Sequence, residues 1–237
     1  MKRGILMVVF GEEYAKIAKV CIAETKKHTD LPIYVITNID SSLGDSGTMV
    51  VAPDSENRNY KTSMINYTPF DETLYIDCDS IIQKEDLSPV FDLLQENDIV
   101  LNEYLKWEKG DKVLNIYKRA MNMFVSSLPI SVYNGAMIAF KKSVMADLFF
   151  YQWNDGWGLF GKGREMPPLA CAIANLKGIG LKVGHTPNGF FEPENLKDEA
   201  TIQHHTGQDF LDKFNIPSFT GNKSFDTDPT DFRWTEM

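Results

Sequence analysis

The chain has 237 residues, of which 43% are hydrophobic and 24% charged, and it carries a formal net charge of −9. That length can bury a core as one large domain or two small ones, and the balance is ordinary for a soluble globular protein. The negative charge argues against a nucleic-acid partner held through a basic surface. The three cysteines, Cys21, Cys78 and Cys171, are odd in number and lack CxxC spacing. They argue against a disulfide framework or a zinc site, fit a reducing compartment, and read best as small buried hydrophobes.

Gly4 to Phe10 is a continuous apolar run, the pattern of a strand covered on both faces. It is too short to span a bilayer, Glu12-Glu13 follow at once, and no small-residue cleavage site comes after it, so a soluble cytoplasmic protein is expected. From Glu12 to His28, Tyr14, Ile17, Ala18, Cys21 and Ile22 recur at helical spacing, and Ile33 to Thr37 reads as a second buried strand. Strand, helix and strand within about thirty-five residues make a βαβ unit. In open α/β sheets ligands bind beyond the carboxyl ends of the strands, which directs attention to Gly11, Glu12, Glu13 and Tyr14 and to Asn38, Ile39 and Asp40. Neither G-x-G-x-x-G nor a P-loop follows the first strand.

The polar stretch from Asp40 to Asn59 reads as loop with one short strand, Met49 to Ala52, and Arg58, Asn59 and Lys61 open a helix running to about Asn66. Leu74 to Ile76 is an apolar strand that ends in Asp77-Cys78-Asp79. Side chains at i and i+2 of an extended chain share a side, and two carboxylates held that close repel unless a cation or a proton intervenes. A hard divalent ion, Mg²⁺ or Mn²⁺, bound together with substrate phosphates answers that repulsion. A polar loop with one Asp capping the next turn answers the same pattern. Lys61, sixteen residues before Asp77, could reach the same strand end and meet a phosphate, or be a solvated lysine at a helix start.

Asp86-Leu87-Ser88-Pro89 starts a helix through Leu94, and Ile99 to Leu101 is a strand. Asn102 to Met123 is amphipathic and reads as one or two helices with a turn at Gly110-Asp111. A tight Asn134-Gly135 leads into a buried strand, Ala136 to Phe140, where glycine suggests close approach by a ligand. Lys141 to Tyr151 is a helix, and Asn154 to Arg164, with four glycines, reads as a mobile loop suited to a lid. Trp153, Trp157 and Phe160 in this region either offer aromatic faces to a ligand or anchor the loop. Glu165 opens a helix to Leu176, where an acid is favoured for dipole reasons alone. Leu181 to Gly184 is a short strand, Thr201-Ile202-Gln203-His204-His205-Thr206-Gly207 comes late, and the tail from Pro217 shows little periodicity.

This order of parts resembles the GT-A-type glycosyltransferases, most closely glycosyltransferase family 8 (glycogenin and the lipopolysaccharide galactosyltransferases), over residues 4 to about 210. The parts are the N-terminal βαβ, the lysine-led helix, Asp-x-Asp, Asn-Gly before a second apolar strand, an acidic helix start and a late Ile-x-His-x-x-Gly. The resemblance implies an α/β, GT-A fold with a Rossmann-like mixed central sheet flanked by helices. Its nucleotide-sugar half would be 1–101, its acceptor half 102–216 and its tail 217–237. It implies transfer of a hexose from a nucleotide-sugar, a UDP-sugar, to a glycan, lipid-linked glycan or protein acceptor, with retention. Asp77, Asp79 and His204 would hold Mn²⁺ or Mg²⁺, with His205 competing for the histidine position. Lys61 would lie near the diphosphate or donor sugar. Phe10, Gly11 and Tyr14 would line the base and ribose pocket, and Cys78 and Gly207 would belong to the same donor site. Asn134 and Gly135 would approach the donor sugar, and Glu165 would face the transferred sugar or the acceptor. The family's late basic residue falls here at Phe210, with Lys213 the candidate substitute, and its Asn-x-Gly is shortened to Asn134-Gly135. A sugar-1-phosphate nucleotidyltransferase would share the fold type, but its basic phosphate loop is replaced by the acidic Gly11-Glu12-Glu13-Tyr14. A nucleotide-sugar-binding protein that transfers nothing is the other reading.

Overall fold

The computed structural model describes residues 1–39, 43–44, 46–107, 130–160, 162, 165–192, 200–204 and 214. The expectations for Asp40, for residues 108–129, for His205, Gly207, Phe210 and Lys213, and for the tail lie outside the described residues.

The first strand, β1 (Arg3–Val9), is apolar because both of its faces are covered. Ile5, Met7 and Val9 enter one hydrophobic cluster, and Leu6 and Val8 enter the other. The chain continues through α1 (Glu12–Thr25), β2 (Ile33–Thr37), β3 (Gly47–Val50), α2 (Asn57–Thr62) and a 3₁₀ turn at Met64–Asn66. Next come β4 (Glu72–Ile76), β5 (Ser80–Ile82), α3 (Ser88–Glu96), β6 (Ile99–Trp107) and β7 (Ile130–Lys141). The described chain closes with α4 (Val144–Leu159), α5 (Met166–Lys177), β8 (Val183–His185), β9 (Phe191–Glu192) and β10 (Ile202–His204).

Among the described residues, seven strands form one mixed sheet in the order β3-β2-β1-β4-β7-β6-β8, and β5-β10-β9 form a second, smaller sheet. β7 is antiparallel to β4 and β6, while β1, β2, β4, β6 and β8 all run the same way. The cluster with Val9 packs under α1 and α3, through residues such as Ile17, Cys21, Phe91 and Leu94. The opposite cluster packs under α4 and α5, through Phe149, Phe150, Trp153 and Leu169. The sheet thus lies between two helical layers, and its strand order reverses between β1 and β4. No described helix is long and apolar enough to cross a membrane.

Three expectations are corrected. Asn102 to Trp107 is not helical but extends β6, because pairing with β7 (Glu103 opposite Tyr133, Trp107 opposite Ile130) overrides the helix-like periodicity. Asn134-Gly135 is not a tight turn but lies inside β7. The register jumps from Leu101–Ile138 to Asn102–Asn134, leaving Gly135 to Met137 in a bulge on the β6 side. The region read as a mobile glycine-rich loop is helical as far as Leu159. Gly156 there lets α4 press on α5, since a Cβ would come within 3.1 Å of Pro168 Cβ. Trp153, Trp157 and Phe160 are all buried, so they are anchors and not sugar-stacking faces.

Candidate active site

The candidate site gathers at the carboxyl ends of β1 and β4. The chain leaves β1 through Gly11, whose φ of +86° favours glycine and whose N–H donates to Asn38 Oδ1 at 2.8 Å. That bond ties the end of β1 to the end of β2. Tyr14, in the first turn of α1, is partly exposed. Its hydroxyl is pushed above the usual tyrosine value by partial burial first, then by Cys78 and Asp79 nearby.

The two aspartates meet in a different way from the one the pleat predicts. β4 ends at Ile76, and Ser80 N–H donates to the Asp77 carbonyl at 3.0 Å, so Asp77 to Ser80 form a turn that leads into β5. The backbone of Asp77 is fixed by its N–H to the Ala136 carbonyl in the β7 bulge, at 2.9 Å. Turn and bulge, not extended-chain alternation, set the pair. β10 then runs antiparallel to β5 with His204 opposite Ser80, which carries the imidazole to the neighbouring carboxylate. One ligand atom each from Asp77, Asp79 and His204 lie within 4.8 Å of one another.

Asp79 Oδ1 lies 3.2 Å from His204 Nε2. It is buried, yet no described hydrogen-bond donor is directed at it. A buried carboxylate oxygen without a donor is costly. A divalent cation bound by both aspartates and the imidazole would satisfy that oxygen, so the donor set fits such an ion.

Asp77 is served differently. Lys61 Nζ lies 2.9 Å from Asp77 Oδ1 and 3.2 Å from Glu165 Oε1, and Arg58 Nε lies 3.0 Å from Glu165 Oε2. The Tyr75 hydroxyl also donates to Asp77 Oδ1. Lys61 is only 6% exposed, so the reading as a solvated lysine does not hold. Burial opposes its charge, but Asp77 and Glu165 hold it protonated above the ordinary lysine value. Burial likewise opposes the Glu165 charge, and Lys61 and Arg58 overcome it, drawing that carboxyl down to about 2. Glu165 does stand at the N-cap of α5, but its side chain makes no cap bond and faces the two cations instead. Trp153 Nε1 donates to the Glu165 carbonyl at 2.8 Å, so a core anchor fixes the start of α5. Asn154 Nδ2 donates to Thr62 Oγ1 and Asn59 Oδ1, which ties α4 to α2 beside Lys61.

The remaining expected residues surround this cluster. Phe10 is buried, with its ring 5.6 Å from that of Tyr60. The Cys78 side chain enters the apolar cluster under α1. Asn134 Oδ1 accepts the Ala136 N–H at 2.7 Å and so braces the bulge. At Gly135 a Cβ would sit 3.8 Å from Lys61 Nζ, an ordinary contact, so the chain's own packing does not require glycine there. Sequence reasoning missed Tyr75, Arg58, Tyr60 and Asn154 as site-forming residues. Tyr75 was legible, because it precedes Asp77 by two positions; the others depend on helices meeting in space.

Neither a family model nor a curated protein matches the sequence. The fold does match solved glycosyltransferases. The galactosyltransferase LgtC, in complex with donor and acceptor sugar analogues, superposes with a TM-score of 0.60 at 12% identity, covering 86% of this chain and 87% of that one. An active-site mutant of LgtC gives a TM-score of 0.56 at 13% identity over 86% and 87% of the two chains. The apo bifunctional glycosyltransferase WbbM gives a TM-score of 0.58 at 13% identity over 86% of this chain but 46% of that one. At such identities the likeness is one of fold, and the fold is the GT-A type that the order of motifs leads one to expect.

Proposed function

We propose that the chain is a metal-dependent glycosyltransferase that moves a hexose from a nucleotide-sugar, a UDP-sugar in the first instance, to a glycan, lipid-linked glycan or protein acceptor, with retention. The observation that carries this reading is the convergence of Asp77, Asp79 and His204 at the carboxyl edge of a GT-A sheet, with one buried oxygen of Asp79 lacking a donor. Mn²⁺ suits the set better than Mg²⁺, which prefers an all-oxygen shell. A bound divalent ion supplies Lewis-acid neutralisation of the diphosphate leaving group.

The chain's own residues do the rest. Asp77, Asp79 and His204 hold the ion. Gly11, Tyr14 and Phe10 border the space beyond β1, where the base and ribose bind. Lys61 fixes the Asp77 carboxylate through one contact and Glu165 through the other. That fixes the distance between the metal-binding edge and the side where the sugar lies, and near-attack geometry depends on such distances. Glu165, kept ionised, is suited to orient a sugar hydroxyl or to stabilise positive charge developing at the anomeric carbon. It is poorly suited to act as a general acid, since its proton is already lost at neutral pH.

Titration calorimetry of UDP tests the reading, with Mn²⁺ and with EDTA, on the wild type and on Asp79→Ala. Binding that needs Mn²⁺ and weakens by about 100-fold in the variant is expected for loss of one of three protein ligands. Tight binding indifferent to both metal and mutation overturns it. Hydrolysis or transfer from a panel of UDP-sugars then separates an enzyme from a binding protein.

A further inference from the structure

A nucleoside diphosphate brings negative charge to a site that already holds three carboxylates, Asp77, Asp79 and Glu165. Besides His204 at Asp79, two described basic side chains contact these carboxylates, and they are not equivalent. Lys61 is buried behind the site, with its ammonium group engaged by Asp77 and Glu165 together. Arg58 stands in front. Its side chain is 51% exposed, and its Nε is tethered to Glu165 Oε2 at 3.0 Å. Its two terminal nitrogens make no hydrogen bond or ion pair with any described residue.

The guanidinium is therefore anchored at one corner and open at the other two. Its charge also acts on the Tyr14 hydroxyl in the first turn of α1, which puts it on the side of the site nearest the end of β1. A guanidinium held by one edge presents its remaining N–H groups in a fixed plane, a geometry that matches two oxygens of a phosphate.

We propose that Arg58 is a diphosphate-binding residue: its Nη groups contact phosphate oxygens of the bound nucleotide while Nε stays on Glu165. This rests on the nucleotide-sugar reading above and adds to it a contact from α2. Lys61 is assigned the opposite duty. It organises the carboxylates from behind and contributes little direct phosphate contact, because its donors are already committed. Glu165 thereby gains a second function, since it aims Arg58 as well as facing the sugar.

The test compares UDP with uridine, each in the presence of Mn²⁺, by calorimetry on the wild type, Arg58→Gln and Arg58→Lys, with thermal melts of all three. If Arg58 contacts phosphate, Arg58→Gln weakens UDP by about 10- to 100-fold, the range for a charge-assisted hydrogen bond. Uridine affinity stays within about twofold, and Arg58→Lys falls between, since it restores charge without the fork. Unchanged UDP affinity in Arg58→Gln overturns the proposal and leaves the nucleotide-sugar reading standing. Equal weakening of UDP and uridine, with a lowered melting temperature, also overturns it and reduces Arg58 to a brace for Glu165. A wild type that binds no UDP with Mn²⁺ sinks both readings together.

Discussion

The two aspartates of one short motif live in opposite circumstances. Asp77 is supplied by the chain itself: Lys61, Tyr75 and the β7 bulge provide its donors. Asp79, two residues on, keeps a buried oxygen to which no described donor points, 3.2 Å from an imidazole nitrogen. One carboxylate of the pair is satisfied by folding, and the other keeps an oxygen that the fold leaves without a donor among the described residues. The difference teaches that a carboxylate pair need not act symmetrically. One member is held by the scaffold, and the other, on the function proposed above, offers its oxygen to a cation.

The largest expected effect breaks the finished half. Asp77→Ala leaves the buried Lys61 with Glu165 as its one described acidic partner, and should destabilise the fold by about 3 kcal/mol in chemical denaturation, because a buried ammonium that loses one of its two carboxylates is under-compensated. The next effect is acid sensitivity. Glu165 ionises in the fold at about 2, against an ordinary value of 4.5, so the stability it contributes is present above pH 4.5 and drains away as pH falls towards 2. Glu165→Gln should flatten that acid limb in melts taken across the range; an unchanged limb would show that the Lys61 contact adds nothing. The open half should behave in the reverse sense. Asp79→Asn keeps the shape of a carboxylate whose buried oxygen accepts no hydrogen bond from a described residue and gives up only its 3.2 Å contact with His204, so its melting free energy without metal should stay within about 1 kcal/mol of the wild type, while Mn²⁺ should no longer raise it. The smallest change is Gly135→Ala. Its Cβ makes ordinary contacts, so stability should hold within about 0.5 kcal/mol, and any larger loss in UDP-sugar affinity would locate the donor sugar against the β7 bulge.

Much of this was legible in the sequence because it was written locally. Unbroken apolar runs marked β1, β2 and β4 as strands covered on both faces, and the aspartates stood where β4 had to stop. The late histidine was legible as a candidate from its motif, though its partner strand was not. What escaped depends on contacts between distant segments. Asn102 to Trp107 carries a helix-like pattern that pairing with β7 overrules. Asn134-Gly135 has turn composition, yet the chain spends it on a bulge whose Ala136 carbonyl holds Asp77. The Arg58–Glu165–Lys61 chain needs α2 and the start of α5 side by side, and no periodicity in either helix announces the other. The glycines after Trp153 suggested motion, whereas Gly156 serves close packing against Pro168.

The pairing of β10 with β5 has a consequence for how this protein comes into being. During synthesis Lys61, Asp77 and Asp79 leave the ribosome long before His204, and most strands of the main sheet are already available by then. Contacts between such remote parts of a chain form late, because loop closure must precede them. The nascent protein therefore passes through an interval in which the acidic pair exists without its imidazole, and on the metal-dependent reading it would hold cations weakly there. On the metal-dependent reading proposed above, tight cation capture would report that β10 has docked beside β5.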